Sequence, residues 1–174
     1  KGIGERLRAI ILPALTTGLG VGVAVLLLLH LLLQKELPQL PPGKAASVAV
    51  WKRLLICFYG GLTEEIMMRI FLFSLLAWLL SKVWRSSDGT PTRRVIWVAT
   101  IILALLFGLA HLGSVIPLMP LTFNILLGAL LLNGIASVAF TSLYLRRGLE
   151  ASILAHFTAD LIIWVIGPSF IIAS

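Results

Sequence analysis

Between Val95 and Leu145 the chain carries no Lys, Arg, Asp or Glu, a run of 51 residues. An apolar helix needs ~20 residues to cross a bilayer, so this run alone holds two crossings and the turn between them. The composition agrees, with 59% hydrophobic and 12% charged residues and a mean hydropathy of +1.06. Soluble domains are ~25% charged. A water-soluble globule is therefore excluded, and the fold expected is an all-α, multipass transmembrane bundle of about 5–6 helices.

The net charge of +7 invites a nucleic-acid reading. No basic helix with interleaved aromatics lies outside the apolar stretches, however, and membrane proteins gather Lys and Arg in their cytoplasmic loops. Nucleic acid is not an expected partner; the bilayer is. The single cysteine, Cys57, cannot form an internal disulfide and is read as a packing residue. Lys1 rather than Met at the first position leaves room for an upstream segment.

The spans follow from the hydropathy pattern. The first runs from Ala9 to Gln34, and a proline-rich connection from Lys35 to Lys44 follows it. Residues 1–46 thus form an N-terminal transmembrane helix and loop, and 47–174 form the core. The second helical stretch, from about Ser47 to Val83, is long enough to be bent or broken at Gly60-Gly61. A polar loop runs from Trp84 to Thr92. The third span is Val95–Leu112, the fourth ends at Leu145, and the fifth is Leu149–Ile172. Five crossings set nine Lys and Arg on the N-terminal side against four opposite, which places the N-terminus in the cytoplasm. Trp51, Trp84 and Tyr144 near span ends suit the aromatic belts.

Four charges lie inside the expected spans: Glu64, Glu65, Arg69 and Asp160. His111 and His156 accompany them. An ionised side chain at mid-membrane costs ~2.5–3.5 kcal/mol on insertion scales, so each needs a partner or a polar cavity. Glu65 and Arg69 are four apart, share a helix face and can neutralise one another. Glu64 points about 100° away and is left over as a candidate general base. His156 and Asp160 are again four apart. The set describes an intramembrane polar pocket able to hold a water, take its proton and stabilise an oxyanion. Two His and carboxylates also suit zinc, although no His-Glu-x-x-His is present.

Three segments carry a resemblance. Glu64-Glu65-Ile-Met-Met-Arg69, Phe107-Gly-Leu-Ala-His111 and His156-Phe-Thr-Ala-Asp160 occur in that order. They resemble the Glu-Glu-x-x-x-Arg, Phe-x-x-x-His and His-x-x-x-Asn/Asp motifs of the CPBP family. These are the CAAX protease and bacteriocin-processing (Abi) intramembrane proteases, which include the Ras-converting CAAX prenyl proteases. The resemblance implies an endopeptidase acting on membrane-associated peptides or prenylated proteins. In it Glu64 and His111 activate water, His156 and Asp160 hold the oxyanion, and Glu65 and Arg69 shape the site. Asp160 stands where the prenyl-protein proteases carry Asn. An ionised Asp repels an oxyanion, so Asp160 is expected to be protonated, to orient His156 or to bind a metal. A glutamate-base mechanism without a cofactor is favoured; a zinc site of His111, His156 and Asp160 with Glu64 is the alternative.

Other polar residues in the spans have bland readings. His30, Asn124 and Asn133 are taken as structural, Gly128 and Gly134 as close helix packing, and Met67 and Met68 as core or groove filler. A non-proteolytic immunity or scaffold protein with the same pocket is the runner-up function, and a proton-coupled transporter is another. No internal repeat of the kind transporters carry is visible. One expectation strains the picture. Five alternating spans set His111 and His156 toward opposite membrane faces, so a shared pocket requires tilt, a broken helix or a re-entrant segment.

Overall fold

The structure, a computed structural model, describes residues 3–33, 48–84, 86–118 and 120–168. Among them there is no strand, and five helices are long and apolar enough to cross a membrane. We label them α1 (Ile3–Leu33), α2 (Val50–Val83), α3 (Arg93–Val115), α4 (Phe123–Arg147) and α5 (Leu149–Ile166). The multipass helical bundle is as expected, and the chain is an integral membrane protein. The connection expected at Lys35–Lys44 lies outside the described residues.

Local chemistry sets the helix starts. Thr92 Oγ1 accepts from the Val95 N–H (3.2 Å), and Thr122 Oγ1 accepts from the Ile125 N–H (3.3 Å), so both threonines cap a first turn. In the loop before α3, Asp88 accepts from the Thr90 N–H (3.0 Å) and hydroxyl (2.8 Å). Bonds from Ser86 and Thr90 hold its carboxyl down to about 2. Between α4 and α5 there is no loop to speak of. Gly148, at φ +95°, reverses the chain in one residue, a conformation that an L side chain rarely adopts.

The second helix departs from expectation. It is neither broken nor divided at Gly60-Gly61 but continues with π-helical turns over Tyr59–Glu64 and Ile66–Phe73. A third π segment, Leu161–Ile166, follows directly on Asp160. The glycines serve a different purpose from a hinge. A Cβ on Gly60 would collide with Asp160 Oδ2 and lie 3.2 Å from His156 Nε2, and one on Gly61 would lie 2.9 Å from Phe157 Cβ. They let α2 press directly onto α5.

The same device docks α1. Ala14, Gly18 and Gly22 recur every fourth residue on α1, facing Ala151, Ala155 and Ala159 at the same spacing on α5. A Cβ on Gly18 would clash with the Ala155 carbonyl and Thr158 Cβ, and one on Gly22 would come within 2.7 Å of Ile162 Cβ. In lipid the hydrophobic effect does not drive helices together, so this close van der Waals approach supplies the attraction. The two glycines assigned to packing from sequence divide. Gly128 does face Leu33, at 3.2 Å, but a Cβ on Gly134 would meet nothing within 4 Å. Gly108 on α3 makes the close contact with α4 instead, against Leu130 Cα at 2.9 Å.

An offset of the helices removes the depth conflict. Tyr144, near the end of α4, packs edge-on against Phe73 at 6.3 Å. Phe73 is ten residues from the end of α2 and Tyr144 only four from Gly148, so about six residues of α2, ~9 Å, project past the turn. Val95, Ala99 and Leu103 of α3 pack against Phe73 and Ala77 at the level of the turn. His156 therefore starts from a turn already set deep in the bundle.

Replacing Gly18 by Val should separate α1 from α5 and lower stability by ~1–3 kcal/mol, the usual cost of overpacking. Gly20→Val, at a position with nothing within 4 Å of its Cβ, should leave the melting temperature in detergent unchanged. Thermal unfolding of the two variants beside the parent chain checks this.

Candidate functional site

Glu65 is fully buried, and an ion-pair partner and two hydrogen-bonding groups converge on its carboxylate. Arg69 Nη2 lies 3.0 Å from Oε1, one helical turn on, in a pair that is itself buried. His156 Nδ1 reaches the same oxygen at 2.9 Å from α5. Ser152 donates its hydroxyl to Oε2. A carboxylate accepts only, so His156 carries a proton on Nδ1. Isolated in lipid, any one of these groups would be costly. Together Glu65 and Arg69 balance charge, while the Arg69 nitrogens have no hydrogen-bond partner among the described residues.

Ser152, His156 and Asp160 stand four residues apart on one face of α5 and are all buried. The serine was not among the residues singled out from sequence. Its signal was the same spacing of four, extended one turn toward the start of the helix. Ser152 Oγ also lies 3.2 Å from the Phe140 carbonyl, which ties the network to α4. The Phe140 ring stacks on the His156 imidazole, 4.8 Å between centroids and 25° between planes. Ring orientation and tautomer of His156 are thus fixed from two sides.

The outward nitrogen of His156 faces two further carboxylates. Glu64 Oε2 lies 3.9 Å from Nε2, and Asp160 Oδ2 lies 3.8 Å from it. Both separations exceed a hydrogen bond, so neither carboxylate is engaged as Glu65 is. Glu64 is also the more open of the adjacent pair, with its side chain 18% exposed against 1% for Glu65. The expected division between a paired Glu65 and an uncommitted Glu64 is present, although His156 and Ser152 share Glu65 with Arg69.

His111 stands one step away. Its Nδ1 donates to the Phe107 carbonyl, 2.9 Å away on its own helix, which leaves Nε2 as the free nitrogen. It shares no hydrogen bond or ion pair with the other five residues. The Phe107 ring bridges them, edge-on to His111 at 4.6 Å and to His156 at 6.2 Å. The structure therefore gathers Glu64, Glu65, Arg69, His156 and Asp160 directly, and His111 through Phe107.

His156 Nδ1 is held by Glu65 and His111 Nδ1 by its own backbone, so Nε2 is the outward nitrogen of both. Among the described residues no group of three or more His, Cys, Asp and Glu side chains is arranged to hold a metal ion. Of the remaining residues, Cys57 and Met68 pack inside the bundle. Cys57 is buried with its thiol on the Arg53 carbonyl, Met68 is buried against α3, and Met67 is exposed. His30 and Asn124 are exposed, and Asn133 donates to the Ala129 carbonyl at 2.9 Å.

The family model for type II CAAX prenyl endopeptidase Rce1-like proteins matches residues 46–162. No curated protein and no solved structure matches significantly. The matched stretch runs from just before α2 to just past Asp160, and so contains Glu64, Glu65, Arg69, His111, Ser152, His156 and Asp160. With about two thirds of its length covered in this way, the chain belongs to the type II CAAX prenyl endopeptidase Rce1-like family of intramembrane proteases.

Proposed function

We propose that this chain is an endopeptidase that cleaves prenylated CAAX-type or similar hydrophobic peptides at the membrane, with Glu64 as the base that activates water. The unequal commitment of two adjacent carboxylates carries the reading. Glu65 is held by the Arg69 ion pair and by hydrogen bonds from His156 and Ser152, and cannot take a proton without breaking a buried network. Glu64 has no such partners within hydrogen-bonding distance and borders the same imidazole.

The steps then balance. A water beside Glu64 gives up a proton to the carboxylate, and its oxygen bonds to the scissile carbonyl carbon. The negative charge moves to the carbonyl oxygen, which His156 stabilises from Nε2 as the imidazolium, with its Nδ1–H still held by Glu65. The C–N bond breaks, and the proton held by Glu64 passes to the leaving nitrogen. His111, with Nε2 free, orients the water. Asp160, with Gly60 packed against it, holds His156 in register. Arg69 positions Glu65. No metal takes part in this scheme. The segment 47–174 carries the chemistry, while α1 buttresses α5. The basic helix ends face the cytoplasm, where Lys and Arg concentrate.

The test is turnover of a farnesylated CAAX peptide, its unprenylated twin and a generic hydrophobic peptide by the purified chain in detergent. Cleavage of the farnesylated peptide, undiminished by a chelator, is the expected result. Loss on chelation with recovery on adding zinc would refute the metal-free mechanism. Silence toward all three by a folded sample would favour a binding or immunity protein instead.

Glu64→Gln should lower kcat by 10²-fold or more, the range of a lost general base, and leave thermal stability near that of the parent. Glu65→Gln should lose activity and stability together, because it leaves Arg69 buried without a counter-charge, at a cost of ~3–5 kcal/mol. Ser152→Ala removes one hydrogen bond to a charged group and should cost ~1.5–3 kcal/mol in stability. Its kcat should fall less than that of Glu64→Gln, because Arg69 and His156 still hold Glu65. Melting temperatures and steady-state rates measured on the same preparations check all three.

A further inference from the structure

At the basic end of α4 a cavity of about 210 Å³ opens between α1 and α4. Pro13 and Thr17 line it from α1, and Ser142, Arg146 and Arg147 line it from α4. Both arginines are exposed, and neither pairs with a carboxylate among the described residues. The acid next along the chain, Glu150, is exposed with its Oε2 turned back against Gly148, and it forms no ion pair with either arginine. Two guanidinium groups and two hydroxyls therefore meet in one recess with their charge uncompensated. Such a donor set matches the oxygens of a phosphate diester.

This polar recess shares a wall residue with an apolar groove. Ala139 lines it and also lines a groove of about 520 Å³ between α3 and α4, whose walls include Ala104, Leu131, Gly134 and Val138. Gly134 keeps the groove open, since its missing Cβ would meet nothing within 4 Å. From Arg146 back to Gly134 is twelve residues, ~18 Å along the helix, close to the thickness of one leaflet's hydrocarbon. A charged head and an apolar channel of that length, joined at one residue, describe an amphiphile.

We propose that the two recesses together bind an anionic membrane phospholipid, its phosphodiester on Arg146 and Arg147 and an acyl chain in the groove beside Gly134. Basic recesses between membrane helices recognise such headgroups by the same chemistry. The site is distinct from the Glu65 network and does not depend on the catalytic reading. A free phosphate monoester shares the headgroup chemistry but has nothing to place in the groove.

Native mass spectrometry of the detergent-purified chain tests it, with phosphatidylglycerol, phosphatidylcholine and glycerol phosphate as probes. Phosphatidylglycerol should be retained at least tenfold better than phosphatidylcholine, and R146Q/R147Q should abolish that preference. Gly134→Leu, which fills the groove, should weaken phosphatidylglycerol retention several-fold and leave glycerol phosphate binding unchanged. Equal retention of the two lipids, or a preference that survives R146Q/R147Q, overturns the proposal. Displacement of the lipid by equimolar glycerol phosphate overturns the lipid assignment in favour of a soluble anion. If the double variant does not fold, Gly134→Leu decides alone, and unchanged lipid retention overturns the site.

Discussion

A carboxylate buried among lipid-spanning helices is tolerable only when other groups neutralise and solvate it, and Glu65 has three. Arg69 comes from its own helix, and His156 and Ser152 come from α5. Bonds of this kind are directional, so they fix the rotation of α5 against α2 as well as the distance. Phe140 then fixes the tilt of the His156 ring, which brings α4 into the same arrangement. Every other feature of the site is placed relative to that one acceptor.

Helices bearing these groups must approach closely, and the chain achieves this by omitting side chains. Gly60 and Gly61 bring α2 onto Asp160 and Phe157, and Gly18 and Gly22 bring α1 onto the alanine face of α5. In water such positions would expose backbone at some cost, whereas in lipid they create the packing that holds helices together. The π-helical turns on either side of Glu65 and after Asp160 belong to the same region. Such turns are frequent at functional sites.

Family membership and geometry bear on different questions. Membership of the type II CAAX prenyl endopeptidase Rce1-like family concerns the class of reaction. Geometry separates residues that the motifs treat alike. Glu64 and Glu65 are neighbours in sequence, yet one is surrounded by donors and the other lies open beside the imidazole. His111 and His156 are both motif histidines, yet only His156 joins the buried network.

From the sequence alone came the class of fold, the approximate spans and the unusual charges, because bilayer thickness and the cost of buried charge act on local composition. The Glu65–Arg69 pair was equally legible, since residues four apart meet on any helix. Four features were decided only by tertiary structure: Ser152 on Glu65, His156 turned to Glu65, the service of Gly60-Gly61 as a contact rather than a hinge, and the open groove at Gly134. Each depends on which helix lies opposite and at what depth. That depth is set by the offset of α2 past the Gly148 turn, a relation between distant segments that no local spacing encodes.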